Sequence, residues 1–290
     1  METLKDFLLS ATREHWATGH FNASEADHMR AIAAACRELG TPAIIGTSEG
    51  ERAHIGVLEA VAIGDALYVE YGIPVFLNAD HTKSIAGARE AADAGYDSVH
   101  IDLSAMPYED NIKGTKEIVA YARSIDQAIS VEGELGYLRG ESKIQNEKIA
   151  VNPDDYTKPE QAREFAERTG VDRLAIVVGN IHGISLDEPA LDIERIRAIR
   201  AVVPEHVALV LHAGSGIPDE QIRAAIAAGI ANIHINTDLR VAYAAALRTS
   251  IAEHMDETAM YKLDAAAMDA MKEVVKEKLK LFGSANKIRA

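Results

Sequence analysis

The sequence predicts an α/β fold, a (β/α)8 TIM barrel with a C-terminal helical extension. Three observations lead there. Short apolar, β-branched-rich runs alternate with longer amphipathic stretches, the pattern of a parallel sheet covered on both faces. Eight such units recur at intervals of roughly 20–45 residues, as a closed barrel requires. The 290 residues suit one barrel of about 250 residues with a segment to spare.

The strands, in order, are 17–22 (ATGHFN), 43–48 (AIIGTS), 75–80 (VFLNAD), 98–103 (SVHIDL), 129–135 (ISVEGEL), 173–179 (RLAIVVG), 208–212 (ALVLH) and 232–237 (NIHINT). The first and last have the weakest strand composition. Most of the intervals carry a helical pattern, as in SIAGAREAADAG at 84–95 and in DEQIRAAIAAG at 219–229, where Gly229 is the expected stop. A doubly wound open sheet is the structural alternative. No Pro/Gly/Ser linker divides the chain, which reads as one domain over 1–290, with the barrel at about 15–250 and the extension at about 251–290. The extension, Ala-rich and then basic (MKEVVKEKLKLFG), exceeds one barrel helix and is expected to pack on the barrel or on another subunit.

Composition narrows the function. At 48% hydrophobic and 26% charged residues the chain is ordinary globular material. It has no apolar run of about 18 residues to span a membrane, and METLKDFLLSATREHW lacks the pattern of a signal peptide. The single cysteine, Cys36, excludes an internal disulfide and fits a reducing, cytoplasmic setting. A net charge of −15 disfavours nucleic acid and anionic membranes as partners.

The strand ends carry the chemistry. The polar residues there are Asn22, Ser48, Asp80-His81, Asp102, Glu132 and Glu134, Asn180 and His182, His212, and Asn236-Thr237. In a barrel these ends share one mouth, where active sites are built. Three histidines from three strands, with carboxylates beside them, have the chemistry of a divalent-metal site, and neutral imidazoles suit zinc. After the seventh strand, HAGSGIP offers flexible backbone at Gly214 and Gly216 and a hydroxyl at Ser215. After the eighth, Asn236-Thr237 opens a helix. Loops at these two places commonly cradle phosphate through backbone donors and helix dipoles, which lets an acidic protein bind an anion.

NADH (78–81), GYDSVHIDLS (95–104), VEGELG (131–136), VGNIHG (178–183), LHAGSGIP (211–218) and INTDL (235–239) together resemble the class II, metal-dependent ketose-bisphosphate aldolases, the fructose-bisphosphate aldolase family. The resemblance runs from about Asn22 to Leu239. It implies a homodimeric or homotetrameric enzyme that reversibly cleaves a ketose bisphosphate, fructose 1,6-bisphosphate by family prevalence, to dihydroxyacetone phosphate and glyceraldehyde 3-phosphate. It further implies Zn2+ held by His81, His182 and His212, with Glu134 as an additional or alternate ligand and Asp102 and Glu132 as supporting or alternate-site carboxylates. It leaves room for a substitute divalent metal and for a monovalent cation. Asp80 matches the acid/base that handles the proton of the carbon-4 hydroxyl, while zinc polarises the ketone and stabilises the enediolate. Substrate and phosphate contacts fall to Asn22, Ser48, Gly183, Ala213, Gly214, Ser215 and the segment His234, Ile235, Asn236 and Thr237.

The sequence also departs from the family. Ala213 stands where glycine is common, and His234 and Asn236 replace an asparagine and an aspartate. The loop after the fifth strand reads YLRGESKIQNEK (137–148), in which Glu141 is the candidate for exchanging a proton with dihydroxyacetone phosphate. Strand parity adds an expectation of its own. His20, Asn78, His100 and His234 lie two residues before Asn22, Asp80, Asp102 and Asn236, so they form a polar ring one layer below the mouth. Two rival functions remain: a Schiff-base aldolase, for which Lys83 is the nearest lysine to a strand end, and a catalytically silent sugar-phosphate binder. Tagatose 1,6-bisphosphate is the alternative substrate.

Overall fold

Alternation along each strand sends one set of side chains toward the helices and the other into the barrel. The computed structural model describes residues 2–146, 149, 152–184 and 190–288. Its strands are β1 (Thr18–Asn22), β2 (Ala43–Thr47), β3 (Val75–Thr82), β4 (Ser98–Ile101), β5 (Ser130–Leu135), β6 (Gly140–Ile144), β7 (Arg173–Ile176), β8 (His182–Ile184), β9 (Ala208–Leu211) and β10 (Ile230–Ile235). β1, β2, β3, β4, β5, β7, β9 and β10 pair in parallel in that order, and β10 returns to β1 to close the barrel. All eight expected strands are present. Gly19, Phe21, Ile233 and Ile235 show why the two end strands still work: Phe21, Ile233 and Ile235 enter the main core, and a Cβ on Gly19 would meet the Phe21 ring.

The outward set, including Ile45, Leu77, Val99, Val131, Leu174 and Leu209, packs under the helices in one cluster. Truncating such a residue to alanine typically costs about 2–5 kcal/mol. The inward set is polar: His20, Asn78, His100, Glu132, Arg173 and His234 are all buried. Gly46 admits one of them, because a Cβ there would lie 2.0 Å from the His20 ring.

A helix at Leu4–Glu14, which sequence reading left unassigned, closes the barrel's amino-terminal end. Thr3 and Asp6 form its capping box. Leu4, Phe7, Leu8 and Ala11, at helical spacing, pack on Ile44, Phe76, Ala208 and Ala231 from the strands above. At the opposite end β6 and β8 form a separate two-stranded ribbon.

After the eighth barrel strand the chain is helical, with the last barrel helix at Thr237–Glu253 and the carboxyl-terminal extension at Met260–Leu263 and Ala265–Leu281. Helix Ala265–Leu281 lies against helices Ala26–Leu39, Thr237–Glu253 and Asp219–Ala228 and against β1, so it packs on the barrel between the first and last β/α units. Among the described residues no helix is long and apolar enough to cross a membrane.

Candidate active site

β3 delivers the pair Asp80-His81. Asp80 is buried; its Oδ2 accepts from Asn22 Nδ2 at 3.0 Å, and its Oδ1 lies 3.4 Å from His234 Nδ1 and 3.6 Å from His100 Nδ1. Burial works against ionising this carboxyl, yet the charge of His81 and the nearby His100 and His234 imidazoles outweigh it and hold Asp80 well below the usual carboxylate range. His81 has φ +42°, a left-handed backbone that is costly for any residue bearing a Cβ. Its N–H donates to His100 Nδ1 at 3.2 Å, which anchors that turn. The polar ring expected below the mouth therefore lies inside the barrel, where two of its histidines face Asp80 and His20 stacks on His234 at 3.6 Å.

The metal-binding potential of the site turns on which nitrogens carry hydrogen. His81 Nδ1 stands 3.0 Å from Asp102 Oδ2, and His212 Nε2 stands 2.6 Å from Glu132 Oε1. Ionised carboxylates only accept, so both imidazoles place a hydrogen on those nitrogens. Their other nitrogens, His81 Nε2 and His212 Nδ1, then face one another across 3.0 Å. Two lone pairs so placed need a proton or a metal cation between them. Without metal the proton rests on His81: burial opposes its charge, but Asp80 and Asp102 raise its pKa above the usual imidazole value. Carboxylate-backed imidazoles of this kind are the usual ligands of catalytic metals, and the residues present fit a divalent cation.

Further donors are close by. His81, Asp102 and Glu134 bring one donor atom each within 4.8 Å of one another, as do Asp80, His81, His100 and His212. His182 joins none of these groups among the described residues, although its ring stands edge-on to His81 with centroids 5.0 Å apart. Burial, with the charge of His81, depresses its pKa to about 3, which leaves it neutral and able to ligate. Burial and Asp102 push Glu134 above the usual carboxyl range, and Glu132 is held well below it, burial being outweighed by Arg173, His100 and His212.

The mouth is a cavity of about 380 Å³ lined by Asn22, Ser48, Asp80, His81, His182 and Gly183, and by His212, Ala213, Ser215, His234, Asn236 and Thr237. Two expected contacts are placed elsewhere. Ile235 sends its side chain into the outer core, because strand parity turns it away from His234 and Asn236. Gly214 is not among the lining residues; its N–H is taken by His234 O at 2.9 Å, and its missing Cβ makes room for Ile233. Ala213, where the family commonly has glycine, has φ +58°. Ser215 Oγ accepts from the Asp238 N–H at 3.2 Å, which ties the β9 loop to the start of helix Thr237–Glu253.

Glu141, on β6, lines an adjoining cavity of about 510 Å³ with His81, Asp102, Glu134 and His182. Its side chain is 73% exposed and pairs with Lys143 at 2.6 Å. Glu147 and Lys148, at the end of the same loop, lie outside the described residues. Lys83 is exposed, in the wrong surroundings for the desolvated amine of a Schiff base.

Sequence reading missed three residues. Glu51 accepts from Asn22 Nδ2 at 3.0 Å and from Ser48 N at 2.7 Å and lines the mouth. Arg52, buried, reaches the carbonyl of Asp80 and Thr82 Oγ1. Arg240 is the one Lys or Arg among the described lining residues. The first two lie on the short helix Glu49–Ile55, where the pattern SEGE marks only a helix start; Arg240 lies one turn into a helix whose first residue was already singled out.

The family model for class-II fructose-bisphosphate aldolase matches residues 2–287. The chain belongs to the class II fructose-bisphosphate aldolase family. As a class II aldolase it is a metal-dependent carbon–carbon lyase. Among solved structures it is similar to the YdjI aldolase from Escherichia coli K12, at 32% identity and a TM-score of 0.83 over 100% of both chains. It shares its fold with the fructose-bisphosphate aldolase of Campylobacter jejuni, at 21% identity and a TM-score of 0.80, covering 98% of this chain and 95% of that one. The aldolase barrel thus carries its candidate metal donors on β3, β4, β5 and the segments after β7 and β9.

Proposed function

We propose that this aldolase reversibly cleaves fructose 1,6-bisphosphate to dihydroxyacetone phosphate and glyceraldehyde 3-phosphate, with zinc as its metal. The observation that carries the metal reading is the pair of facing nitrogens, His81 Nε2 and His212 Nδ1, 3.0 Å apart and each backed by a carboxylate. His182 is the third ligand in this reading and Glu134 the alternate one, with Asp102 and Glu132 orienting the imidazoles. A divalent cation held there supplies Lewis-acid polarisation of the ketone and carries the charge left when the carbon–carbon bond breaks.

The remaining chemistry belongs to the chain's own side chains. In cleavage Asp80 takes the proton of the carbon-4 hydroxyl as the bond between carbons 3 and 4 breaks; in condensation it returns that proton to the aldehyde oxygen. Asn22, which donates to Asp80 Oδ2, holds the carboxylate in place. Glu141 exchanges the carbon-bound proton of dihydroxyacetone phosphate. Gly183, Ala213, Ser215 and the Asn236-Thr237 helix start hold one phosphate, and Arg240, one turn further on, supplies positive charge to the cavity. The fructose assignment follows the family. We read the chain as one domain in a homodimer or homotetramer, in keeping with exposed Leu58 and Val69 on a single helix.

The test is cleavage of fructose 1,6-bisphosphate beside tagatose 1,6-bisphosphate, before and after chelation and zinc return. The reading expects loss with chelator, recovery with zinc and preference for the fructose sugar. Activity that survives chelation contradicts the metal, and preference for tagatose contradicts the substrate.

A further inference from the structure

Barrel interiors are usually filled by branched apolar side chains. Here the centre holds a guanidinium. Arg173, the first residue of β7, is 0% exposed. Its Nη1 lies 2.8 Å from Glu132 Oε2, while its Nη2 donates to Asn78 Oδ1 at 2.9 Å and to Ser98 Oγ. These partners come from β5, β3 and β4, so one side chain ties three strands together across the barrel. Glu132 Oε1, the opposite oxygen, accepts from His212 Nε2 at 2.6 Å.

We propose that Arg173 is a positioning residue for the aldol reaction: it anchors Glu132, and Glu132 in turn fixes the ring and tautomer of His212 so that Nδ1 faces His81 Nε2. The inference rests on the metal reading above. A fully buried carboxylate is costly unless donors meet it, and a planar fork of N–H groups meets one best. Glu132 is thus ion-paired with the arginine at one oxygen and hydrogen-bonded to imidazole at the other. Without Arg173 it has a competing partner within reach: His234 Nε2 lies 3.9 Å from Oε2. A carboxylate that swings to it releases His212 Nε2, and the metal-facing nitrogen is no longer set. The side chain therefore acts on the metal through two intermediaries and touches no substrate.

The test uses the full-length protein with Co2+ as the probe, in the variants R173M, R173K, E132Q and R173M/E132Q. Co2+ affinity is read by chelator competition and ligand geometry by the visible spectrum of the bound ion, alongside kcat and KM. R173M is expected to weaken Co2+ binding by about 10–100-fold, the usual cost of losing an outer partner of a metal ligand. Its Co2+ spectrum should change, and kcat should fall with KM little altered. R173K, which keeps the charge but not the fork, should recover part of the loss. R173M/E132Q should bind Co2+ no more weakly than E132Q, since the arginine acts only through the glutamate. R173M with wild-type affinity and spectrum overturns the proposal, as do losses that add in the double variant. Should R173M not fold, R173M/E132Q decides: folded and equal to E132Q it supports the proposal, and unfolded it shows Arg173 to be merely structural and overturns it. Wild-type protein that binds no Co2+ sinks the metal reading instead, a separate result.

Discussion

The inner wall of the mouth and the β6–β8 ribbon beside it hold the two acids assigned to proton transfer, and they hold them in opposite ways. Asp80 is buried, with Asn22, His100 and His234 around its oxygens. Glu141 projects into solvent, its carboxylate paired with Lys143. The wall belongs to the barrel ladder and is fixed before substrate arrives. The ribbon is two short strands paired with each other outside that ladder. On the proposed roles, the difference teaches that the candidate metal donors are built into the core, whereas the second proton step would depend on an acid brought in from the rim.

The largest effect should come from the wall. His212→Ala removes one of the two facing nitrogens, so zinc content measured by mass spectrometry should fall with aldolase activity to background. Full zinc occupancy in that variant would break the comparison at its firmer end. Asp80→Asn should keep zinc and lose about 10²–10⁴-fold in kcat, the range of a positioned acid–base group. Glu141→Gln should cost less, about 10²-fold, and the two variants should separate in a second assay. Exchange of the dihydroxyacetone phosphate carbon-bound proton with D2O, followed by NMR, should persist in Asp80→Asn and be lost in Glu141→Gln. The reverse pattern would exchange the two roles.

Smaller effects concern stability at the two edges of the wall. Burial, reinforced by Asp65 and Asp126, pushes the Asp97 carboxyl up to about 6, although the Leu77 N–H donates to it at 2.8 Å. The folded state then binds the proton more tightly than the unfolded chain. Stability from this group is present at low pH and is lost as pH rises from about 4 through about 6. Asp97→Asn keeps an acceptor for Leu77, so it should raise Tm at pH 7.5 and bring little gain at pH 4.5. At the cavity edge, Ala213→Gly should stabilise by about 1 kcal/mol, because glycine adopts the left-handed backbone of that position without the Cβ penalty.

Much of the barrel was legible because strand parity and helix periodicity act locally. The pairs Asp80-His81 and Asn236-Thr237 sat at strand ends, and His182 and His212 just beyond or at others, where a closed barrel has only one place to put them. What was hidden depends on contacts across the barrel. Arg173 reads as a strand's first residue, and nothing in RLAIVVG says that its side chain meets Glu132, forty-one positions earlier. Ile235 turns into the outer core and Gly214 stays off the cavity lining for a related reason: a motif names a segment, while parity and packing decide which of its atoms face the cavity. The amino-terminal helix could have been found, since Thr3 and Asp6 form a capping box before an apolar helical stripe.

The central claim is that one divalent ion sits between His81 Nε2 and His212 Nδ1. The most direct measurement is a crystal structure of the zinc-loaded protein with anomalous data at the zinc edge. The account predicts a single strong peak about 2.0–2.1 Å from both nitrogens, with His182 completing the set and the Asp102 and Glu132 contacts retained. A peak bound only by Asp102 and Glu134, or none in the barrel mouth, would contradict it.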